Sequence, residues 1–256
     1  MTTKTASVIF HYTGDSYLVS LMQEIIPLNR AVRDYDKVVL LKQDNDLGFV
    51  EVSRRVEMRS DVRAPTKKEL VSSLKELTKA GYTIDLFVFG HGVPEAFSVL
   101  GEDGETREWL TGAELRKDLG KSKIRLRLVW QCNCYAASLG DDWLHVGAKV
   151  AVGAVGVNFY PNRFLPFSRV WSKKQSAETC KRIADRTMHR GIVNTALALK
   201  AIAEEVDLTS EVEVHAFLHR HWGVTAEPGQ GLFEAMKTQS RVVLAGDSEV
   251  SQKTFA

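Results

Sequence analysis

The sequence predicts a single α/β domain built as a three-layer sandwich, with a mostly parallel central sheet and helices on both faces. Three observations carry that prediction. Short apolar runs rich in β-formers alternate with amphipathic helical stretches along the chain. The run TIDLFVFG at 83–90 is apolar on both faces, as strands of a covered parallel sheet are. Finally, 256 residues with 44% hydrophobic content can bury one sizeable core, and no internal repeat, low-complexity tract or linker divides them.

The elements follow in order. SVIFHY (7–12) reads as a strand, and Ser16 then opens an amphipathic helical stretch through Leu18, Leu21, Met22, Ile25 and Ile26 that Pro27 interrupts. KVVLL (37–41) is a buried strand, and 48–63, with Val50, Val52, Val56 and Met58, is a further extended piece. Thr66 caps a helix with Glu69 three residues on, Leu70, Leu74 and Leu77 form its apolar stripe, and Gly81 ends it. After the strand that closes on GHG, residues 93–120 are rich in turns, with GEDGE (101–105) marking a hairpin and a short helix near 111–119. IRLRLVWQ (124–131) is a strand, SLGDDWLHVGA (138–148) a helix and KVAVGAVGV (149–157) another strand. The aromatic segment NFYPNRFLPFSRVW (158–171) holds two prolines and reads as loop with a short helix, and 177–206 as one long helix or two broken at Gly191. The core is thus expected over about 5–205, with 206–256 as a C-terminal extension of the same domain, 1–256.

Composition narrows the function classes. The 34 basic and 32 acidic residues leave a net charge of +2, unlike the concentrated basic surface of a nucleic-acid binder. The apolar run before His11 and Gly14 is too short for a signal peptide, and no stretch approaches the ~20 apolar residues of a membrane span, so a cytoplasmic protein without a membrane span is expected. Three cysteines, Cys132, Cys134 and Cys180, are too few for a disulfide framework and are expected as thiols. Charge pairs such as Lys67-Lys68 and Lys173-Lys174 read as solvated faces.

Two apolar strands end on reactive side chains, LFVFGHG on His91 and LVWQCNCYAASL on Cys134, 43 positions apart. Ligands bind beyond the carboxyl ends of strands in open parallel sheets, so the two side chains share a cleft if their strands are neighbours. A thiol beside a base is what nucleophilic catalysis requires. Gly92 lets the chain turn sharply and can present its N–H to an oxyanion. The helix start after Cys134 favours a thiolate, and Asp141 and Asp142 in its first turns oppose that. Cys132 is an alternative nucleophile, because residues two apart in an extended segment point to one side. Plainer readings make His91 a hydrogen-bonded histidine at a sheet end and Cys134 a small buried hydrophobe. A zinc centre on Cys132, Cys134 and His91 lacks a second tight pair, and His215, His219 and His221 do not form a zinc-peptidase motif, so no metal or other cofactor is expected.

The segments FVFGHG and CYAASLGDDWLHVGAKVAVGAVG together resemble the caspase-like cysteine peptidases, closest in pattern to CHAT-domain and metacaspase-type bacterial proteases. In that group an apolar strand ends in His-Gly, and a second ends in a Cys followed by an amphipathic helix, Gly-Ala and another strand. His91 and Gly92 match the first element, and Cys134, Trp143, Leu144 and Gly147-Ala148 the second. The stretch NTALALKAIAEE near the end of 177–203 is similar to the CHAT-type continuation. Ala136-Ala137 replace the usual Ser-Gly, and Asn133 replaces the usual small residue before the nucleophile. The resemblance implies a caspase-like fold and a cysteine endopeptidase. In it Cys134 is the nucleophile, His91 handles the proton, and the N–H groups of Gly92 and Cys134 form the oxyanion hole. It implies a protein substrate and control by a regulatory partner protein or by self-cleavage. The missing Ser-Gly motivates the alternative of an inactive scaffold or regulatory module on the same fold, and an acyl-transferring thiol enzyme is a third reading.

Overall fold

The central sheet puts six parallel strands side by side and closes one edge with an antiparallel strand. The computed structural model describes residues 4–13, 26–27, 31–43, 50–51, 57–160, 163–188 and 232–254, with positions 212, 216 and 219. In chain order the strands are β1 (Thr5–Tyr12), β2 (Ile26–Pro27), β3 (Lys37–Lys42), β4 (Val50–Glu51), β5 (Asp61–Arg63), β6 (Thr83–Gly90), β7 (Gly92–Val93), β8 (Ala96–Leu100), β9 (Arg107–Thr111), β10 (Leu126–Gln131), β11 (Val150–Ala154) and β12 (Val242–Gly246). The main sheet runs β12-β11-β10-β6-β1-β3-β5, and β12 alone is antiparallel to its neighbour. A second sheet, β7-β8-β9, is antiparallel and carries the chain away from the end of β6.

The helices are α1 (Lys67–Lys79), α2 (Gly112–Leu119), α3 (Gly140–His145), α4 (Phe164–Trp171), α5 (Ala177–Asp185) and α6 (Leu232–Gln239), with a short 3-10 helix at Ala136–Leu139. Thr66 caps α1 by accepting from the Glu69 N–H at 3.2 Å. At its other end Gly81, at φ 83°, lets Tyr82 N–H reach Leu77 O and Gly81 N–H reach Thr78 O, closing a Schellman motif. Thr111 and Glu114 form a full capping box on α2. Lys67, expected as a solvated charge, instead bridges α1 to α2 through Glu114 at 2.8 Å and Asp118 at 3.0 Å.

Two hydrophobic layers sandwich the sheet. Leu70, Leu74 and Leu77 of α1, Leu115 and Leu119 of α2 and Trp143 of α3 cover one face, meeting Ile84, Leu86 and Val88 of β6. Phe164, Phe167 and Trp171 of α4 and Ala177, Cys180 and Ala184 of α5 cover the other, meeting Phe87 and Phe89. Successive residues of β6 therefore face opposite helical layers, which makes the run apolar on both faces. Phe164 packs edge-on against Phe87 and Phe89 at ring separations of 5.2 and 5.1 Å. The fold is thus a three-layer α/β sandwich on a mostly parallel sheet.

Several elements differ from expectation. Residues 14–25 of the first helical stretch lie outside the described residues, whereas Ile26 and Pro27 pair with Val50 and Glu51 as a two-residue ladder. Of the extended piece 48–63, β5 supplies the sheet edge, and Met58 is 80% exposed rather than packed. The turn-rich region forms the small sheet, with the GEDGE segment joining β8 to β9 and Pro94-Glu95 joining β7 to β8. The stretch 189–206 is outside the described residues, and α5 occupies the start of the long helical pattern. β12, beyond the expected core boundary at 205, adds the antiparallel edge.

One strand carries a buried charge that its apolar pattern concealed. Asp85 in β6 is fully buried, and its carboxylate accepts from Arg127 Nε and Nη2 at 2.9 and 2.8 Å, from Trp171 Nε1 at 2.8 Å and from the Tyr35 hydroxyl. Arg127 Nη1 donates to the Gln252 carbonyl at 2.9 Å, and the guanidinium lies over the Trp171 ring at 5.7 Å. Burial, and then the Asp85 charge, push the Tyr35 hydroxyl well up from its ordinary pKa, which keeps it a donor. Arg127 is also the extra residue of a β-bulge. Leu126 pairs with Ile84, an offset of 42, and Leu128 pairs with Asp85, an offset of 43 that holds through Gln131 and Val88. Breaking this pair leaves an uncompensated buried charge. We therefore expect Asp85→Asn or Arg127→Met to cost about 3–5 kcal/mol in urea unfolding, and the double variant Asp85→Leu/Arg127→Met to regain most of that loss.

Candidate active site

Val88 pairs with Gln131 and Cys132 N–H donates to Val88 O at 2.8 Å, so the two chain segments stay side by side past the end of β10. The two segments touch. A Cβ built on Gly92 would lie 2.0 Å from the Cys134 carbonyl oxygen and 2.6 Å from Asn133 Nδ2. Only glycine permits that approach, which gives Gly92 a steric reason independent of any turn.

His91 is held through its backbone. Its N–H donates to Ser98 Oγ at 3.2 Å, its carbonyl accepts from Ser98 N–H at 3.0 Å, and Ser98 Oγ donates to the Tyr12 carbonyl at 3.3 Å. The His91–Ser98 bond makes Gly92 and Phe97 a non-hydrogen-bonded pair, so the Gly92 N–H points away from β8. The tip of the β7-β8 hairpin docks on the segment after Cys134, where Glu95 N–H donates to Ser138 Oγ at 2.7 Å.

Cys134 is placed by hydrogen bonds of four residues, Gln131, Asn133, Tyr135 and Asn158. Gln131, at the end of β10, is buried, and its amide donates to the Ala136 carbonyl and accepts from Trp143 Nε1, both at 3.0 Å. Asn133 Nδ2 donates to the Cys134 carbonyl at 3.2 Å. Tyr135 N–H donates to Gly156 O at 2.7 Å while its φ of 53° turns the chain sharply between thiol and helix. A left-handed tyrosine costs about 1–2 kcal/mol, and here it sits directly after the thiol. Asn158, beyond β11, donates its N–H to Cys134 Sγ at 3.4 Å and its Nδ2 to the Cys132 carbonyl at 2.9 Å.

The two neighbouring cysteines have separate environments. Cys134 is half-buried, and desolvation raises its thiol pKa even though the Asn158 N–H and its own N–H pull the other way. Cys132 is buried in the layer under α4, where Trp130 Nε1 donates to its sulfur at 3.1 Å and burial pushes its pKa up to about 12. Strand alternation does not extend to Cys134, because β10 ends at Gln131, and the Cys134 sulfur accepts from the Asn158 N–H while Cys132 packs in the layer under α4. The segment after Cys134 is a four-residue 3-10 helix, and α3 spans six residues. Asp141 is exposed and Asp142 is buried against Arg116, so the opposing charges do not face the thiol. Cys180 is buried in the core with its pKa pushed up to about 12 by desolvation. Among the described residues no group of three or more His, Cys, Asp or Glu side chains could hold a metal ion. His219 is exposed, and His215 and His221 lie outside the described residues.

Reading by sequence missed Ser98, Gln131 and Asn158. Each acts through a backbone or amide contact that only the fold creates. Gln131 alone left a trace, as the polar residue that closes the strand.

Two predictions follow from these contacts. Gly92→Ala drives a methyl group into the Cys134 carbonyl, so it should cost about 1–3 kcal/mol and slow iodoacetamide alkylation of Cys134. The buried thiols also set a pH dependence. Folded Cys132 and Cys180 stay protonated up to about 12, whereas unfolded thiols ionise from about 8.5, so their stabilising contribution is whole below that unfolded value and is lost as pH rises through the window. The urea midpoint should fall across it, less steeply in Cys132→Ala/Cys180→Ala. No protein-family model matches the chain, and no curated protein matches it significantly, so its chemistry is argued from its own residues.

Proposed function

We propose that the chain is a caspase-like cysteine endopeptidase that hydrolyses peptide bonds of protein substrates through a Cys134-His91 dyad. The observation that supports the reading is the contact between the two strand-end segments that carry His91 and Cys134, with Gly92 seated against the Cys134 carbonyl. His91 takes the Cys134 proton as the sulfur bonds to the scissile carbonyl carbon, and the oxyanion is met by the N–H groups of Gly92 and Cys134. The carbon–nitrogen bond then breaks, and the His91 proton leaves with the amine. Water, deprotonated by His91, cleaves the thioester, which releases the acid and restores the thiol.

The resting thiol is protonated, since burial raises its pKa. Such a site has low basal reactivity, in keeping with activation by a regulatory partner protein or by self-cleavage. The same raised pKa favours a second reading, an inactive caspase-like module that binds partners without chemistry.

Intact-mass spectrometry after incubation with peptidyl acyloxymethyl ketones separates the two. The peptidase reading expects one adduct that is absent in Cys134→Ala, retained in Cys132→Ala and formed about 10²- to 10⁴-fold more slowly in His91→Ala. An adduct lost in Cys132→Ala would move the nucleophile, and no adduct on any variant after treatment with candidate activators would favour the scaffold.

A further inference from the structure

From outside its own residue, the Cys134 sulfur is met by one hydrogen-bond donor among the described residues, the Asn158 N–H at 3.4 Å. That N–H is aimed by the side chain it belongs to. Asn158 Nδ2 donates to the Cys132 carbonyl at 2.9 Å, and Asn158 Oδ1 accepts from the Tyr160 N–H at 3.2 Å. The amide ties the loop after β11 both to the segment before the thiol and to its own continuation.

The loop is gripped in turn by the junction between α6 and β12, in the stretch beyond residue 205. Gln239 O accepts from the Gly156 N–H at 2.8 Å and Gln239 Oε1 from the Val157 N–H at 3.3 Å. Ser240 Oγ accepts from the Phe159 N–H at 2.9 Å and donates to the Val157 carbonyl at 3.3 Å. Gln239 and Ser240 therefore bracket Asn158 on both sides. Ser240 is fully buried, so its hydroxyl has no water to replace these partners, and a Cβ on Gly156 would collide with Gln239 Oε1. The β11-β12 ladder, which runs from Val150 and Gly246 to Ala154 and Val242, is complete without either side chain. Among the described residues both side chains spend their hydrogen bonds on the loop alone.

We propose that the Asn158 N–H stabilises the Cys134 thiolate as its proton leaves, and that Ser240 and Gln239 are positioning residues that hold this N–H on the sulfur. Its part in catalysis rests on the peptidase reading, whereas its effect on the thiol does not. A fixed N–H favours the thiolate over the thiol, because a charged acceptor forms the stronger bond. Burial raises the Cys134 pKa, and the Asn158 N–H works against that. The titratable groups on the segments around the thiol are His91 beyond β6, Glu95 at the hairpin tip docked on Ser138, Tyr135 in the same turn and Tyr160 in the loop. Burial, and then the Cys134 charge, raise the Tyr135 hydroxyl, which therefore stays neutral. Asp142 is paired with Arg116, and the Arg163 charge acts on Cys132. The stretch beyond 205 thus reaches the site through one loop.

The test follows iodoacetamide alkylation of Cys134 against pH, read by peptide mapping, in wild type, Ser240→Ala, Ser240→Thr and Gly156→Ala. Ser240→Ala removes both hydroxyl contacts, and Gly156→Ala pushes the Gln239 amide off the loop. Each should slow alkylation at neutral pH about 10-fold and move the profile to higher pH, whereas Ser240→Thr, which keeps the hydroxyl, should stay near wild type. Leu70→Ala, in α1 on the other face of the sheet, separates stability from position: its urea midpoint should fall while its profile stays in place. An unmoved profile in both Ser240→Ala and Gly156→Ala, or the same shift in Leu70→Ala, overturns the proposal. If Ser240→Ala fails to fold, Gly156→Ala decides. Peptidyl acyloxymethyl ketones distinguish this proposal from the reading beneath it. A shifted alkylation profile with no ketone adduct on wild type overturns the peptidase and leaves the thiol clamp standing. A Cys134-dependent adduct formed equally fast in Ser240→Ala, Gly156→Ala and wild type overturns the clamp and leaves the peptidase.

Discussion

The buried Asp85–Arg127 pair is the interaction on which the candidate site depends. Arg127 forms the β-bulge that changes the β6-β10 offset from 42 to 43, and the shifted ladder runs on to Gln131 and Val88, next to the segments that carry Cys134 and His91. The pair is therefore a register device, a role for which buried polar groups are retained in other folds. It works from the amino ends of the strands while its consequence appears at the carboxyl ends. Trp171, Tyr35 and Gln252 converge on it from both sides of the chain's length, so register, the α4 layer and the C-terminal segment are fixed by one cluster.

At the other end of the sheet, specificity of position comes from close backbone approach. Gly92 meets the Cys134 carbonyl, and Gly153 in β11 meets Ala136, where a Cβ would come within 2.6 Å of the 3-10 helix. The strained Tyr135 between those contacts is held by the Gly156 carbonyl and by Ser138, which in turn receives the hairpin tip at Glu95. The loops that carry imidazole and thiol are thus locked to each other rather than only to the sheet. Such locking fits a site whose groups are preorganised while its thiol remains protonated.

Much of the framework was legible in the sequence, because it rests on local periodicity and capping. The β6 run, the Thr66-capped helix with its Gly81 terminus and the strands ending near His91 and Cys134 all announce themselves through spacing. The register did not. One charged residue in each of two largely apolar strands, Asp85 and Arg127, gives no sign that they pair across 42 positions, nor that one of them makes a bulge. The separation of Cys132 from Cys134 was misjudged for a related reason: strand alternation was extended past Gln131, where the strand stops.

The most direct test of the account is a crystal structure of the chain after treatment with a peptidyl acyloxymethyl ketone. The account predicts a thioether on Cys134, the His91 imidazole within about 3 Å of hydrogen-bonding reach, and Arg127 bulged against Asp85. A β10 lacking the bulge, or an adduct carried by Cys132, would contradict it.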